Sequence, residues 1–172
     1  MIDMEMFKII HCLNCGSQCC MGPEDKEWRE GCEHWRVEKA RDFAEQHLPE
    51  RVYKHSIRVA GCVRGILPRY TGADFHNACV LAFLHDVVED TEVTIEEIEA
   101  EFGKYIADSV ALLTHNKDKE SYPDYIDRIM SNIEYPEAKV VKHADMKDHL
   151  LQKETLTPRL KDKYIEVIDR FF

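Results

Sequence analysis

The stretch Leu81-Ala82-Phe83-Leu84-His85-Asp86-Val87-Val88-Glu89-Asp90-Thr91 sets four polar side chains directly after an apolar helical run. A merely buried helix has no need of them. On a 3.6-residue period His85 and Glu89 share one face, and Asp86 and Asp90 share the neighbouring strip. One rim therefore carries two metal-ligand types and two further carboxylates, which is the pattern of a chemical site.

Outward from this run the periodicity is helical. Upstream, Val37, Ala40, Ala44 and His47 form one apolar stripe, and Val52, His55, Val59, Cys62, Val63 and Ile66 form a second, which points His55 inward. Residues 74–88 are apolar nearly all round, as expected of a central helix covered by others. Downstream, Thr94 and Glu97 make a capping box, and Gly103 after Phe102 is a stop, so a short helix lies between them. Ser121 with Asp124 opens another helix, with Tyr122, Ile126, Ile129, Met130 and Ile133 on its apolar side. Pro136 starts the next, and Thr157-Pro158 the last, whose stripe is Leu160, Tyr164, Val167, Ile168 and Phe171. No alternating strand pattern competes, and the expectation is an all-α fold. Its main domain spans residues 36–172, after a cysteine-rich extension over residues 1–35.

The chain has 172 residues, enough for one domain with a core of its own. Its 33 acidic and 23 basic side chains give a formal charge of −10, which repels a polyphosphate backbone and argues against a nucleic-acid polymer as partner. A small anionic substrate remains compatible, because a bound divalent cation can overrule the net field locally. No apolar run is long enough to span a bilayer, and the acidic N-terminus does not resemble a secretory signal, so the expected compartment is the cytoplasm. Nothing in the helical pattern decides the oligomeric state.

An adjacent His-Asp pair can direct an imidazole nitrogen and a carboxylate oxygen to one divalent ion. Two ligands do not complete a site. His55 and Asp145, the latter following Val141 and Ala144 on an apolar stripe, supply two more candidates from other helices. His55 alone reads as a hydrogen-bonded core histidine; with three partners it reads as a ligand. Asp145 alone reads as a solvated helix residue, but an inward carboxylate with no cation would be costly.

The order His55, His85-Asp86, Asp145 resembles that of the HD-domain metal-dependent phosphohydrolases, an all-helical superfamily. Within it, Leu84 to Thr91 and Val141-Lys142-His143-Ala144-Asp145 resemble the hydrolase domain of RelA/SpoT proteins and of single-domain alarmone hydrolases. The similarity covers roughly residues 37–151. It implies that His55, His85, Asp86 and Asp145 hold a Mn-type ion, with Fe, Zn and Mg as alternatives, and that Glu89 and Asp90 match the catalytic acidic pair. A divalent ion acidifies water and neutralises charge on a phosphoryl oxygen, which makes attack on phosphorus feasible near pH 7. Either Glu89 or Asp90 could orient that water or move its proton; equally, both could begin a solvated turn.

The implied activity is hydrolysis of a phosphate ester or pyrophosphate of a small nucleotide, with the 3′-pyrophosphate of guanosine tetraphosphate foremost. Rivals are hydrolysis of another nucleotide, a nucleoside mono- or triphosphate, and a non-catalytic nucleotide-binding regulatory module. Departures from the family pattern bear on this choice. The segment His47 to Ser56 is shorter than the family's and lacks its basic pair, His149 stands where the family has Asn, and His143 replaces a Leu. Lys142, Lys54 and His149 are candidate substrate contacts, Lys142 being weighed against a snorkelling surface lysine.

Cysteine use is uneven. Cys12, Cys15, Cys19, Cys20 and Cys32 crowd the head, while Cys62 and Cys79 sit within helical patterns. The Cys12-x-x-Cys15 spacing lets two sulfurs grip one ion, and with Cys20 and Cys32 it makes a candidate structural zinc site. An iron–sulfur cluster uses the same ligands, and reduced thiols need no metal.

Overall fold

The computed structural model describes residues 33–171, and every regular element among them is helical. Cys12, Cys15, Cys20 and Cys32 lie outside the described residues. The helices are α1 (Glu33–His47), α2 (Glu50–Ile66), α3 (Phe75–Leu84), the single turn α4 (Val87–Asp90), α5 (Ile95–Phe102), α6 (Lys104–Leu113), α7 (Tyr122–Ser131), α8 (Pro136–Leu151) and α9 (Pro158–Phe171). A 3₁₀ turn, Leu67–Arg69, closes α2. Among the described residues no helix is long and apolar enough to cross a membrane.

Helix α3 is the axis of the fold. Asp74 caps it by accepting the Asn77 N–H at 2.7 Å, and its side chains from Ala78 to Leu84 are all buried. Such a segment can be helical in water only if it is covered on every side, and α1, α2, α6 and α8 all pack against it. Burying each of Val80, Leu81, Phe83 and Leu84 stabilises the fold by about 1.5–3 kcal/mol. Helices α2 and α8 also pack directly on each other, so α2, α3 and α8 meet as a triangle. That triangle brings His55, His85 and Asp145 together.

Local signals in the sequence have their expected counterparts. Thr94 accepts the Glu97 N–H while the Glu97 carboxylate accepts the Thr94 N–H, a complete capping box. Gly103 ends α5 at φ 85°, a left-handed conformation that favours glycine. Ser121 caps α7 through the Asp124 N–H.

Three expectations are corrected. His47, placed on the apolar stripe of α1, is exposed, because α1 ends there and the buried role passes to Leu48. Ile133, placed on the stripe of α7, is 87% exposed, since α7 stops at Ser131. The run 81–91 is also not one continuous helix: α3 ends at Leu84, His85 and Asp86 form a turn, and α4 adds one turn more. In α9, Tyr164 is buried, but Leu160, Val167, Ile168 and Phe171 are half-buried, as fits a helix lying against α8 at the edge of the bundle.

Candidate metal centre

His55 projects from the middle of α2 with its Nε2 atom 3.2 Å from Asp145 Oδ1 and 3.7 Å from Asp86 Oδ2. His85 Nε2 is 3.2 Å from the same Asp86 oxygen. The interruption after Leu84 makes this possible, because it lets the adjacent His85 and Asp86 side chains reach one point. His149, one turn beyond Asp145 on α8, brings its Nε2 to 3.1 Å from Asp145 Oδ1. Two overlapping donor groups result, His55-His85-Asp86 and His55-Asp145-His149, each with its donor atoms within 4.8 Å of one another. Both share His55.

The hydrogen-bond geometry around the two imidazoles suits a cation. His55 Nδ1 donates to Asp148 Oδ2 at 2.8 Å, and His85 Nδ1 donates to the Ala82 carbonyl at 2.9 Å. In the neutral imidazoles this leaves the Nε2 lone pairs facing the cluster. Both Nε2 atoms are buried and make no hydrogen bond, although carboxylate oxygens stand beside them. Buried nitrogen lone pairs facing carboxylates are stabilised by a positive ion between them, and an N,N,O,O donor set suits Mn, Fe or Zn. His55, His85, Asp86 and Asp145 thus fit a divalent cation on chemical grounds.

The surrounding charges are strongly perturbed. Burial alone would lower the His55 pKa, but Asp145, Asp148 and Asp86 outweigh it and push it up to about 9. Burial would raise the Asp145 carboxyl; the Lys142 ammonium, then His149 and His55, hold it well below the usual carboxylate range. Lys142 donates to Asp145 Oδ2 at 2.7 Å, and its ammonium lies 5.2 Å from the Tyr125 ring centroid. Lys142 is thus half-buried as the ion-pair partner of Asp145.

The other predicted residues fall around this centre. Glu89 turns toward the segment after α6, where its carboxylate accepts the His115 N–H at 3.3 Å and pairs with Lys117 at 3.2 Å. Asp90 is exposed, with a pKa raised by partial burial and by Asp86 and Glu89. Lys54 is exposed and paired with Glu50. It lines a cleft of about 450 Å³ with Arg51, His55, Arg58 and His149, so the cleft opens beside the donor cluster. His149 is half-buried and stacks on Tyr164, with ring centroids 5.4 Å apart.

Two polar side chains at the site had not been singled out from sequence. Asp148 holds His55, and Arg58 holds Asp148. Their signal is the helical spacing to residues already in view, His55 to Arg58 and Asp145 to Asp148, which places each pair on one side of its helix.

Residues 52–171 match the model of the HD domain family. The chain belongs to that family. Among characterised proteins it is similar to the "Probable guanosine-3′,5′-bis(diphosphate) 3′-pyrophosphohydrolase" of Synechocystis sp. (strain ATCC 27184 / PCC 6803 / Kazusa), with 46% identity over 61 residues. That match covers 35% of this chain and 7% of the relative, so the chain spans a small part of that protein's length. Among solved structures it is similar to a metazoan ortholog of SpoT that hydrolyzes ppGpp and plays a role in starvation responses. The TM-score is 0.63 at 21% identity, covering 79% of this chain and 83% of the other. At that identity the likeness is one of fold.

Proposed function

We propose that the chain hydrolyses a phosphate ester or pyrophosphate of a small nucleotide, with a guanosine 3′-pyrophosphate as the foremost substrate. The observation that carries the reading is the pair of buried, unpartnered Nε2 atoms of His55 and His85 facing Asp86 and Asp145. In this reading His55, His85, Asp86 and Asp145 hold a divalent cation of the Mn type. When bound, that ion supplies a Lewis acid for a phosphoryl oxygen and acidifies water. Lys142 keeps Asp145 ionised and oriented through their 2.7 Å ion pair. Glu89, anchored by the His115 N–H and Lys117, and Asp90 are the two acids for orienting the attacking water and taking its proton.

The substrate assignment draws on the Synechocystis relative, whose name specifies that bond. A second reading, hydrolysis of a nucleoside mono- or triphosphate, is favoured by the cleft itself. Arg51, Lys54 and Arg58 are set there against Glu50 and Glu154, and Lys54 and Arg58 already have carboxylate partners. That leaves little unbalanced positive charge for a tetraphosphate.

The test is a hydrolysis assay of the purified, chelator-stripped chain reloaded with Mn²⁺, against guanosine tetraphosphate and nucleoside mono-, di- and triphosphates. Release of pyrophosphate from guanosine tetraphosphate is the expected result. Turnover confined to other nucleotides would move the assignment to the second reading. No turnover of any of them by a folded, metal-saturated chain would sink the enzymatic reading and leave a nucleotide-binding regulatory module.

A further inference from the structure

Asp148 is buried between α2 and α8 with its hydrogen-bonding capacity filled. Oδ2 accepts from His55 Nδ1 at 2.8 Å and from Arg58 Nη2 at 2.9 Å, and Oδ1 accepts from Arg58 Nε at 2.8 Å and from Gln152 Nε2 at 3.2 Å. A carboxylate offers about four lone-pair directions, so Asp148 has none left for an ion. It stands next to the donor cluster without belonging to it. The parallel fork from Arg58 is the strongest geometry available to such a pair, and Arg58 sits one turn after His55 on α2. Gln152, the residue that ends α8, lies one turn after Asp148. The two helices that present His55 and Asp145 are thus clamped together beside the cluster.

We propose that Asp148 and Arg58 are positioning residues for the metal centre: Asp148 holds the His55 ring as its Nδ1–H tautomer with Nε2 aimed at the cation, and Arg58 fixes Asp148. The inference rests on the reading of His55 as a cation ligand. A ligand imidazole whose far nitrogen donates to a carboxylate is fixed in orientation and made more basic, and removing such a partner typically costs about 10- to 100-fold in metal affinity. Arg58 balances the Asp148 charge, so this carboxylate does not compete with Asp86 and Asp145 for the ion. Because Arg58 also lines the cleft, the clamp forms part of the cleft wall beside His55.

Mn²⁺ titration of the full chain, followed by electron paramagnetic resonance, tests this without any turnover. Asp148→Ala is expected to weaken Mn²⁺ binding by about 10- to 100-fold. Asp148→Asn, which retains an acceptor for Nδ1–H, should recover part of that loss. A purely structural role would lower the melting temperature of both variants and leave the affinity of the folded protein unchanged, which would overturn the inference. His55→Ala separates the two levels: if it binds Mn²⁺ like wild type, the metal reading itself falls. If His55→Ala loses the ion while folded Asp148→Ala keeps wild-type affinity, the positioning role alone falls. Should Asp148→Ala not fold, long-range ¹H–¹⁵N correlation on the wild-type chain loaded with Zn²⁺ decides. A proton on His55 Nδ1 supports the assignment, and a proton on Nε2 overturns it.

Discussion

His55 on α2 and Asp145 on α8 bring Nε2 and Oδ1 to 3.2 Å across a helix–helix contact, and both side chains are at least nine-tenths buried. Asp145 is simultaneously the partner of Lys142. Asp145→Ala therefore removes a proposed cation ligand and strands a half-buried ammonium. It should abolish stoichiometric Mn²⁺ binding and cost about 3–5 kcal/mol in folding, the usual penalty for breaking one side of a buried pair. Isothermal titration and urea unfolding measure the two effects. The double variant Asp145→Ala/Lys142→Met should recover much of the stability and none of the binding.

Glu89 and Asp90 stand outside the buried donor cluster, so neutralising either should separate binding from turnover. Glu89→Gln and Asp90→Asn should bind Mn²⁺ as wild type does and lower kcat by about 10²–10⁴-fold, the range associated with general acid–base groups. Steady-state rates with metal titrations check this. An unchanged kcat removes the residue concerned from the mechanism.

In the metal-free chain the His55 pKa is raised above its ordinary value of 6.5 to about 9, because the surrounding carboxylates outweigh burial. A raised histidine contributes stability that is fully present below about pH 6.5 and lost as pH rises through about 9. The apo protein should become less stable to urea across that window. A cation needs the neutral imidazole, so Mn²⁺ uptake near pH 7.5 should release about one proton from His55, and this contribution should vanish in His55→Ala. Calorimetry in buffers of different ionisation enthalpy measures the release.

Phe83 is fully buried in α3, and Thr94 is the exposed cap of α5. Phe83→Ala should destabilise the fold by about 3–5 kcal/mol, through lost transfer energy and the cavity left behind. Thr94→Ala should cost about 1 kcal/mol, because one capping bond is lost and water can replace it. Guanidinium unfolding of both variants gives the comparison.

Much of this architecture was legible in the chain. Helix starts and stops depend on neighbours a few residues away, so Thr94 with Glu97, Gly103, Ser121 and Pro136 announced themselves. The inward positions of His55 and Asp145 followed from periodicity, which reports burial whenever a helix has one wet and one dry face. Periodicity failed where a helix ended sooner than its pattern. Ile133 continues the spacing of α7 but lies past its end in solvent, and Glu89 continues that of His85 but follows a break and turns toward His115 and Lys117.

The sequence by itself determined the all-helical class, the central buried run from Ala78 to Leu84, and the inward placement of His55 and Asp145, because local spacing and residue chemistry encode those. Only the tertiary structure decided how they are supported. The crossing of α2 and α8 places Asp148 behind His55, brings Arg58 onto Asp148, and sets His55 against Asp145. Those partners are decided by which helices touch and at what rotation, a property of side-chain packing across the whole bundle that no short window of sequence contains.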